Sequence, residues 1–398
     1  MWGATVIVTF AHEIAGLAIP LTAALLLQAS PAQMGMMVAL GVVPFALFSL
    51  PVGVWLDRRS KFPIVLRAEL LMLVALATVP LAYWLGFLSM PWMYLVVFLM
   101  GICNVIGGSA NQVFLTFLVG RDHLIDAHSK FAATDSAAKL LGPGIGGMLV
   151  QAMTAPFALL VDALVFLGGW LTLKRVQRRD PTPPPTDAHP VRDMLDGVVM
   201  IRQHPLLWPL AWSFACFQIL FNGYAALSIL FATRELGMSA GMVGSMQMFG
   251  GLGVLLSSAL VKPCTRRFGS GVTILMGMGG TALVWLVMPL LPATVFGSAL
   301  AAALCYGLAV FVFDCSVMLL IMPYIALRQR VTPDAFLGRM TATMRFMTVA
   351  AAPLGALSTG WIAEHYGIRS GLMTVGVGAA LLTLVLIFKS PLRTTRAN

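Results

Sequence analysis

The stretch GVWLDRRSK, Gly53–Lys61, is a dense group of charges between two long apolar runs. The runs, residues 33–56 and 64–85, are each long enough to cross a bilayer, which takes roughly 20 apolar residues. Because the connection between them is so short, the two spans must form an antiparallel helical hairpin. This part of the sequence therefore predicts a helical protein that crosses a membrane.

The composition of the chain excludes an ordinary soluble domain. Of its 398 residues, 59% are hydrophobic and only 10% are charged, whereas a soluble domain has about 25% charged residues. A soluble core of this size could not bury so much apolar surface, so lipid must be the solvent for most of the chain. The net charge of +10 does not indicate a nucleic-acid partner, because the charges cluster in the loops between the spans.

Apolar runs predict twelve transmembrane helices and an all-α membrane fold. The spans are about 3–28, 33–56, 64–85, 92–119, 129–152, 155–173, 206–231, 239–261, 271–291, 295–322, 341–363 and 369–388. Alternate loops carry nearly all the Lys and Arg residues, and the opposite loops carry only Arg234 and Arg369. Since basic loops stay inside, both termini are expected on the cytoplasmic side of the inner membrane. The N-terminus has no basic n-region and no cleavage site, so we expect the first span to be retained.

Residues 174–205 form the one clear linker, and its proline tract cannot continue a helix. The segment Val191–Arg202 within it predicts a short amphipathic helix on the inner membrane surface. Six spans precede the linker and six follow it. The sequence therefore predicts two pseudo-symmetric six-helix bundles, residues 1–173 and 206–398, related by an axis along the membrane normal.

The order of Gly53, Asp57, Arg58 and the basic Lys61 resembles the signature loop between helices 2 and 3 of the major facilitator superfamily. The resemblance implies that Gly53 permits close helix approach and that Asp57 faces a neighbouring helix end. The basic residues mark the cytoplasmic side. An ordinary positively charged membrane loop is the alternative interpretation.

A cytoplasmic gate follows from the same loop and the dipole of a facing helix. If the two halves close on this side, Asp57 meets the N-terminal end of span 11, where backbone N–H groups favour an anion. Arg339 and Arg345 add charge pairing there. Breaking this latch opens the cytoplasmic side, which is one half of alternating access.

Span 5 contains Gly142, Pro143, Gly146 and Gly147, in an order that resembles the antiporter motif of proton-coupled exporters in this superfamily. A face of small residues lets the helix pack tightly and bend at the proline. Generic small-residue packing is the alternative. The segments 327–346, 155–163 and 127–131 further resemble the enterobactin-exporter-like and drug-efflux branch, although the helix-4 arginine of many family members is absent.

Ionisable residues inside membrane spans are costly and usually functional. Glu13 lies near the midplane of span 1, and a carboxyl group in a dry cavity can bind and release protons near neutral pH. Asp135 and Lys139 share a face of span 5 and are either a site or a structural ion pair. Asp314 is in the inner half of span 10.

Two further acidic residues are expected to have smaller roles. Glu69 is near the cytoplasmic end of span 3, where it reaches water or Arg67. Asp162, in the outer half of span 6, is expected to be structural.

The chain lacks the motifs of common membrane-associated enzymes. It has no Gly-rich phosphate loop, no His-Glu-x-x-His and no Gly-x-Ser-x-Gly sequence, so no catalytic residue is predicted. The five cysteines have no metal-like spacing and are expected to be packing residues, so we predict neither a metal nor a cofactor.

The sequence and the family resemblance together predict a monomeric secondary active transporter in the lipid bilayer. Its expected partners are a small amphipathic substrate of the drug or siderophore class and protons, which drive export by antiport with alternating access. A proton- or solute-coupled importer and a transport-dead membrane sensor or scaffold are the alternatives. Abundant Met and Phe side chains would suit a varied apolar ligand.

Overall fold

The computed structural model describes residues 2–57, 59–119, 124–175, 190–333 and 336–389. In these residues fourteen α-helices follow one another: α1 Trp2–Leu21, α2 Pro31–Asp57, α3 Lys61–Trp84, α4 Met90–Val119, α5 Leu124–Met153, α6 Ala155–Lys174, α7 Pro190–Gln203, α8 Leu207–Leu230, α9 Ala240–Phe268, α10 Ser270–Val287, α11 Ala299–Arg330, α12 Leu337–Ala350, α13 Ala352–Tyr366 and α14 Ile368–Lys389. A π-helical turn follows α1 at Thr22–Leu26 and another follows α8 at Phe231–Glu235.

The all-α membrane fold predicted from the sequence is confirmed. Eleven helical segments in the described part of the chain are long and apolar enough to cross a membrane. The one predicted span without such a segment in the described residues is span 5, residues 129–152. It corresponds to α5, which is 30 residues long but carries Lys130, Asp135 and Lys139. Its charges make α5 less apolar than the other spans, so length and composition alone do not identify it.

The chain divides into two compact units. The first unit comprises Met1–Ala29 and Leu40–Pro190, and the second comprises Ser30–Ala39 and Val191–Asn398. In the first unit α1 packs against α5 and α6, and α3 packs against α4 and α6. In the second unit α8 packs against α13 and α14, and α10 packs against α11 and α14. The order of helix contacts is therefore the same in both units, which is what two structural repeats produce.

The turns after α1 and α8 show the same repeat at atomic detail. In the first turn Leu27 N donates to Thr22 O at 3.2 Å, and in the second Leu236 N donates to Phe231 O at 3.1 Å. The next residue has a left-handed backbone in both turns, with φ of 51° at Gln28 and 65° at Gly237. The two hairpins thus share one backbone path although their sequences differ.

Predicted span 11 is divided into two helices in the structure. The helix α12 ends at Ala350 and α13 begins at Ala352, with Pro353 in its first turn. Proline has no N–H to donate to the preceding turn, which explains a break at this point. The helix α7 covers the predicted amphipathic segment, while the proline tract before it lies outside the described residues. The predicted domain boundaries at 173 and 206 remain predictions.

Candidate functional site

Glu13 lies where α1 meets α5 in the first unit. A Cβ atom built on Gly142 would lie 2.5 Å from the Cβ of Glu13, and one built on Gly146 would lie 3.3 Å from the Cα of Ile14. Only residues without a side chain let α5 approach α1 this closely. Gly142 and Gly146 therefore hold the backbone of α5 against the part of α1 that carries Glu13.

The other charges of α5 are close to the same place. Lys139 Nζ and Asp135 Oδ2 form an ion pair at 2.9 Å, and both side chains are about half exposed. Lys139 is three residues before Gly142, so the two lie on neighbouring positions of one helix face. Both charges act electrostatically on Glu13. The structure thus brings together three of the four charges that the sequence assigned to a site.

The remaining two residues of the glycine-rich motif belong to the same helix. Pro143 lies inside α5 without ending it, and Gly147 is buried. The helix continues for ten residues beyond this proline, to Met153. The motif therefore lies within one continuous helix.

Asp314, the fourth predicted charge, lies in the second unit on α11 rather than with Glu13. A Cβ on Gly250 of α9 would overlap the carboxylate of Asp314, so this glycine leaves the room for it. The carboxylate acts electrostatically on the hydroxyl groups of Tyr224 and Tyr306, both of which are buried. Asp314 is therefore part of a polar group inside the second unit.

Next to Asp314 the second unit contains a continuous array of aromatic rings, which we call the aromatic array. Its members come from α8, α10 and α11 and are Phe214, Phe217, Phe221, Tyr224, Trp285, Phe313 and Tyr324. The four residues from α8 are spaced by three, four and three residues, which places them on one helix face. This spacing was the signal in the sequence that could have revealed the array.

Among the described residues, four of the eight ring pairs in the aromatic array are stacked, and the other four are tilted. Phe217 stacks on Trp285 with centroids 5.7 Å apart, and Phe221 stacks on Phe313 at 6.1 Å. Trp285 is only 1% exposed, and its Nε1 has no hydrogen-bond partner in the described residues. Phe214 and Phe221 are only partly buried. The array therefore combines flat apolar faces with one unused N–H donor.

Of the predicted gate residues, the structure describes three side chains. Lys61 is buried at the start of α3 and donates from Nζ to the carbonyl of Arg59 at 2.7 Å. The guanidinium of Arg339 lies 6.0 Å from the ring centroid of Phe336. Arg345 is exposed on α12 and lies within electrostatic reach of Arg328.

The rest of the predicted gate cannot be located in detail. Gly53 and Asp57 lie in the last turns of α2, but the side chain of Asp57 and the surroundings of Gly53 are outside what the structure describes, and Arg58 lies outside the described residues. The latch itself therefore stays a prediction.

For Glu69, which was expected to reach water or Arg67, the structure shows a partly buried side chain. Its Oε2 is buried and has no hydrogen-bond partner among the described residues, while the neighbouring Arg67 is exposed. Packing around α3 therefore buries one oxygen of this carboxyl group, which distance from the helix end did not reveal. In the same described residues no group of three or more His, Cys, Asp or Glu side chains could hold a metal ion.

Comparison with known proteins identifies one family. A family model described as Major Facilitator Superfamily matches residues 1–332. The macrolide efflux protein A of Streptococcus pyogenes is 21% identical over 364 residues, which are 87% of this chain and 84% of that protein. The multidrug efflux pump Tap of Mycolicibacterium fortuitum is 23% identical over 367 residues, covering 89% and 86%.

Two further similarities extend this result. The enterobactin exporter EntS of Shigella flexneri is 24% identical over 291 residues, which cover 71% of this chain and 65% of that protein. The crystal structure of the nucleoside transporter NupG superposes with a TM-score of 0.76 at 12% identity, covering 97% of this chain and 98% of that one. At this low identity the likeness to NupG shows the fold alone.

Proposed function

Because this chain belongs to the major facilitator superfamily, and is therefore a multi-pass secondary transporter of small molecules rather than an enzyme, we propose that it exports a small amphipathic compound of the drug or siderophore class by proton antiport. The names of three relatives, which are efflux proteins and an exporter, support the outward direction. The glycine-rich motif of α5 supports the same direction.

The observation that carries the proposal is the position of Glu13. It is a partly buried carboxyl group at the α1–α5 contact, with Lys139 and Asp135 within electrostatic reach. An ionisable group at such a place in a membrane span is a proton or substrate site by default. When Glu13 releases its proton, the cation of Lys139 stabilises the carboxylate; when a proton binds, that attraction ends. Proton binding thus changes the charge at the α1–α5 contact.

The aromatic array is proposed to bind the apolar part of the substrate. Stacked rings such as Phe221 and Phe313 offer flat faces to planar or hydrophobic groups. In this proposal the first unit binds the proton and the second unit contacts the substrate.

The transport cycle is proposed to be alternating access between the predicted bundles 1–173 and 206–398. A latch of Asp57 with Arg339 and Arg345 would close the cytoplasmic side. We further propose that the transporter is a monomer in the inner membrane with both termini in the cytoplasm, because nearly all Lys and Arg residues lie in alternate loops.

The test is proton-coupled flux in reconstituted vesicles with an imposed pH gradient. The panel contains a macrolide, a planar aromatic cationic dye and enterobactin, and the variants are wild type, Glu13→Gln and Asp196→Asn. Asp196 is exposed on α7 and serves as the control carboxylate. We expect the gradient to drive at least one compound, Glu13→Gln to abolish that movement, and Asp196→Asn to leave it unchanged. Transport of the compounds that does not depend on the pH gradient, or that Glu13→Gln does not affect, contradicts the proposal.

A further inference from the structure

We propose that Glu69 is a second proton-binding group of the first unit, connected to Glu13 through the imidazole of His12. The inference rests on the proposed proton antiport and adds to it a residue that lies on α3, away from the glycine-rich motif. Three helices, α1, α3 and α6, supply the groups that carry it.

The first observation is the unpaired carboxyl oxygen of Glu69. Its Oε2 is buried and has no hydrogen-bond partner among the described residues. An ionised carboxylate with one oxygen so placed has lost part of its hydration without gaining a partner, which costs free energy, and a bound proton reduces that cost. A proton-coupled transporter can use this carboxyl group as a transient proton-binding site.

The second observation is the way α6 holds α1 and α3 together. Phe166 and Trp170 are four residues apart, so both lie on one face of α6. Trp170 Nε1 donates to the carbonyl of Leu66 on α3 at 2.9 Å, and the ring of Phe166 lies 5.5 Å from the ring of His12 on α1. Leu66 is one helical turn before Glu69. This face of α6 therefore contacts α1 at His12 and contacts α3 one helical turn before Glu69.

The third observation is that His12 lies within electrostatic reach of both carboxyl groups. It acts electrostatically on Glu69 and also on Glu13, its neighbour in sequence. Its Nδ1 lies 3.0 Å from the carbonyl of Val8. A carbonyl oxygen can only accept, so Nδ1 carries a hydrogen and Nε2 is the nitrogen that can take up a proton.

The proton transfer balances without any further reactant. The O–H bond of protonated Glu69 breaks, an N–H bond forms at Nε2 of His12, and the products are a carboxylate and an imidazolium. The imidazolium then gives the same proton to the Glu13 carboxylate, which restores neutral His12. The sequence of steps moves one proton between α3 and α1, and it runs in either direction.

The other titratable groups around this path are few in the part of the chain that the structure describes. Cys103 of α4 is buried within electrostatic reach of Glu69, while Asp135 and Lys139 of α5 act on Glu13. On α3 itself Arg67 is exposed, and α6 contributes Asp162.

Asp162 offers a matched control. It is 1% exposed, and neither of its carboxyl oxygens has a hydrogen-bond partner among the described residues. The proton affinity of its carboxyl group is affected by burial alone, and neither His12 nor Glu69 contributes. Asp162 is therefore more fully buried than Glu69 but is not linked electrostatically to His12 or Glu69, so we expect its carboxyl group to take no part in the transfer.

The experiment uses the proton itself as the probe. Infrared difference spectra of the full chain in lipid vesicles, recorded after a pH jump, report the carbonyl stretch of each carboxyl group that gains or loses a proton. We expect Glu69→Gln to remove one band and Glu13→Gln another, while Asp162→Asn removes none. We expect His12→Asn to keep both bands but to slow the change in the Glu69 band. Size-exclusion profiles establish that each variant is folded.

The outcomes separate this inference from the proposed function. If Glu69→Gln leaves the difference bands unchanged, Glu69 does not bind a transported proton and the inference is overturned, whatever the flux assay shows. If the Glu69 band is present but wild-type vesicles move every compound without using the pH gradient, proton antiport fails while the carboxyl group remains a proton site. A Glu69 band that His12→Asn leaves unaltered in rate overturns the connection to Glu13.

Discussion

The two units have the same order of helix contacts but fill it with different side chains. In the first unit α1 carries His12 and Glu13 at its contacts with α6 and α5, and His12 lies within electrostatic reach of Glu69 on α3. In the second unit the corresponding helix, α8, presents phenylalanines and Tyr224 to Trp285 and Phe313. The helix framework thus sets where side chains meet, and the sequence of each repeat decides which chemistry is placed there.

The two units also differ in the charges at their equivalent turns. The turn after α1, Thr22–Leu26, contains no charged residue, whereas the turn after α8, Phe231–Glu235, ends in Arg234 and Glu235. Glu235 pairs with Arg369 at 2.7 Å. The second unit therefore has an ion pair at its turn, whereas the turn of the first unit contains no charged residue.

The largest effect is expected from adding a methyl group where two helices touch through glycine. A Cβ on Gly355 of α13 would overlap the carbonyl of Ile219 on α8, and backbone cannot move aside as a flexible side chain can. We expect Gly355→Ala to lower the free energy of unfolding by about 3 kcal/mol. Thermal unfolding of the purified protein in detergent measures the loss.

The matched change in the first unit is Gly142→Ala, where the new Cβ would meet the side chain of Glu13 rather than backbone. We expect a smaller loss of stability, together with a loss of proton-coupled flux because Glu13 is displaced. The expectation is contradicted if Gly142→Ala destabilises the protein as much as Gly355→Ala and leaves flux intact. The side chain of Glu13 would then not yield to the new methyl group more easily than the backbone of Ile219 does.

An intermediate effect is expected from Arg369, which connects three parts of the second unit. Its guanidinium donates to Glu235 Oε2 and to the carbonyls of Pro289 at 2.6 Å and Leu291 at 2.9 Å. Because Arg369→Met leaves these acceptors without their donor, we expect the free energy of unfolding to fall by about 2 kcal/mol. Thermal unfolding again measures the change.

The control for Arg369 is Arg330→Met, which removes an exposed positive charge at the end of α11. We expect it to cost no more than about 0.5 kcal/mol, mainly through the helix dipole. A loss from Arg369→Met as small as that of the control would mean that the polar connection does not stabilise the second unit.

The smallest effect concerns two equivalent turns with different residues. Thr154, between α5 and α6, has φ of 72°, and Gly367, between α13 and α14, has φ of 91°. A β-branched residue is strained in this region of backbone space, whereas glycine is not. We expect Thr154→Gly to raise the free energy of unfolding by about 1 kcal/mol, and Gly367→Thr to lower it. A neutral or destabilising Thr154→Gly would show that the turn relaxes without strain.

Local patterns in the sequence were enough to predict several features of the fold. The hairpin at Gly53–Lys61, the amphipathic segment found as α7 and the pairing of Asp135 with Lys139 all depend on residues close together in the chain. The break at Ala351 was missed, although Pro353 is a local signal for it. Such features could be predicted because helix geometry fixes which neighbours share a face.

Features that join distant segments could not be predicted in this way. Gly142 and Glu13 were each singled out, but nothing in either segment indicated that they touch. Arg369 was assigned only to a side of the membrane, and its three acceptors were not foreseen. The hydrogen bond from Trp170 of α6 to Leu66 of α3, one turn before Glu69, joins segments about 100 residues apart and was likewise not foreseen.

The sequence by itself determined that this chain is a helical membrane protein with the signature of its superfamily, since apolar length, loop charge and short motifs are local properties. Only the tertiary structure decided which ionisable groups share a neighbourhood. It placed Lys139 within electrostatic reach of Glu13, placed His12 within electrostatic reach of both Glu13 and Glu69, and put Asp314 near buried tyrosines of the other unit. The physical reason is that helix periodicity fixes contacts along one helix, whereas contacts between helices depend on where small residues such as Gly142 let the backbones approach.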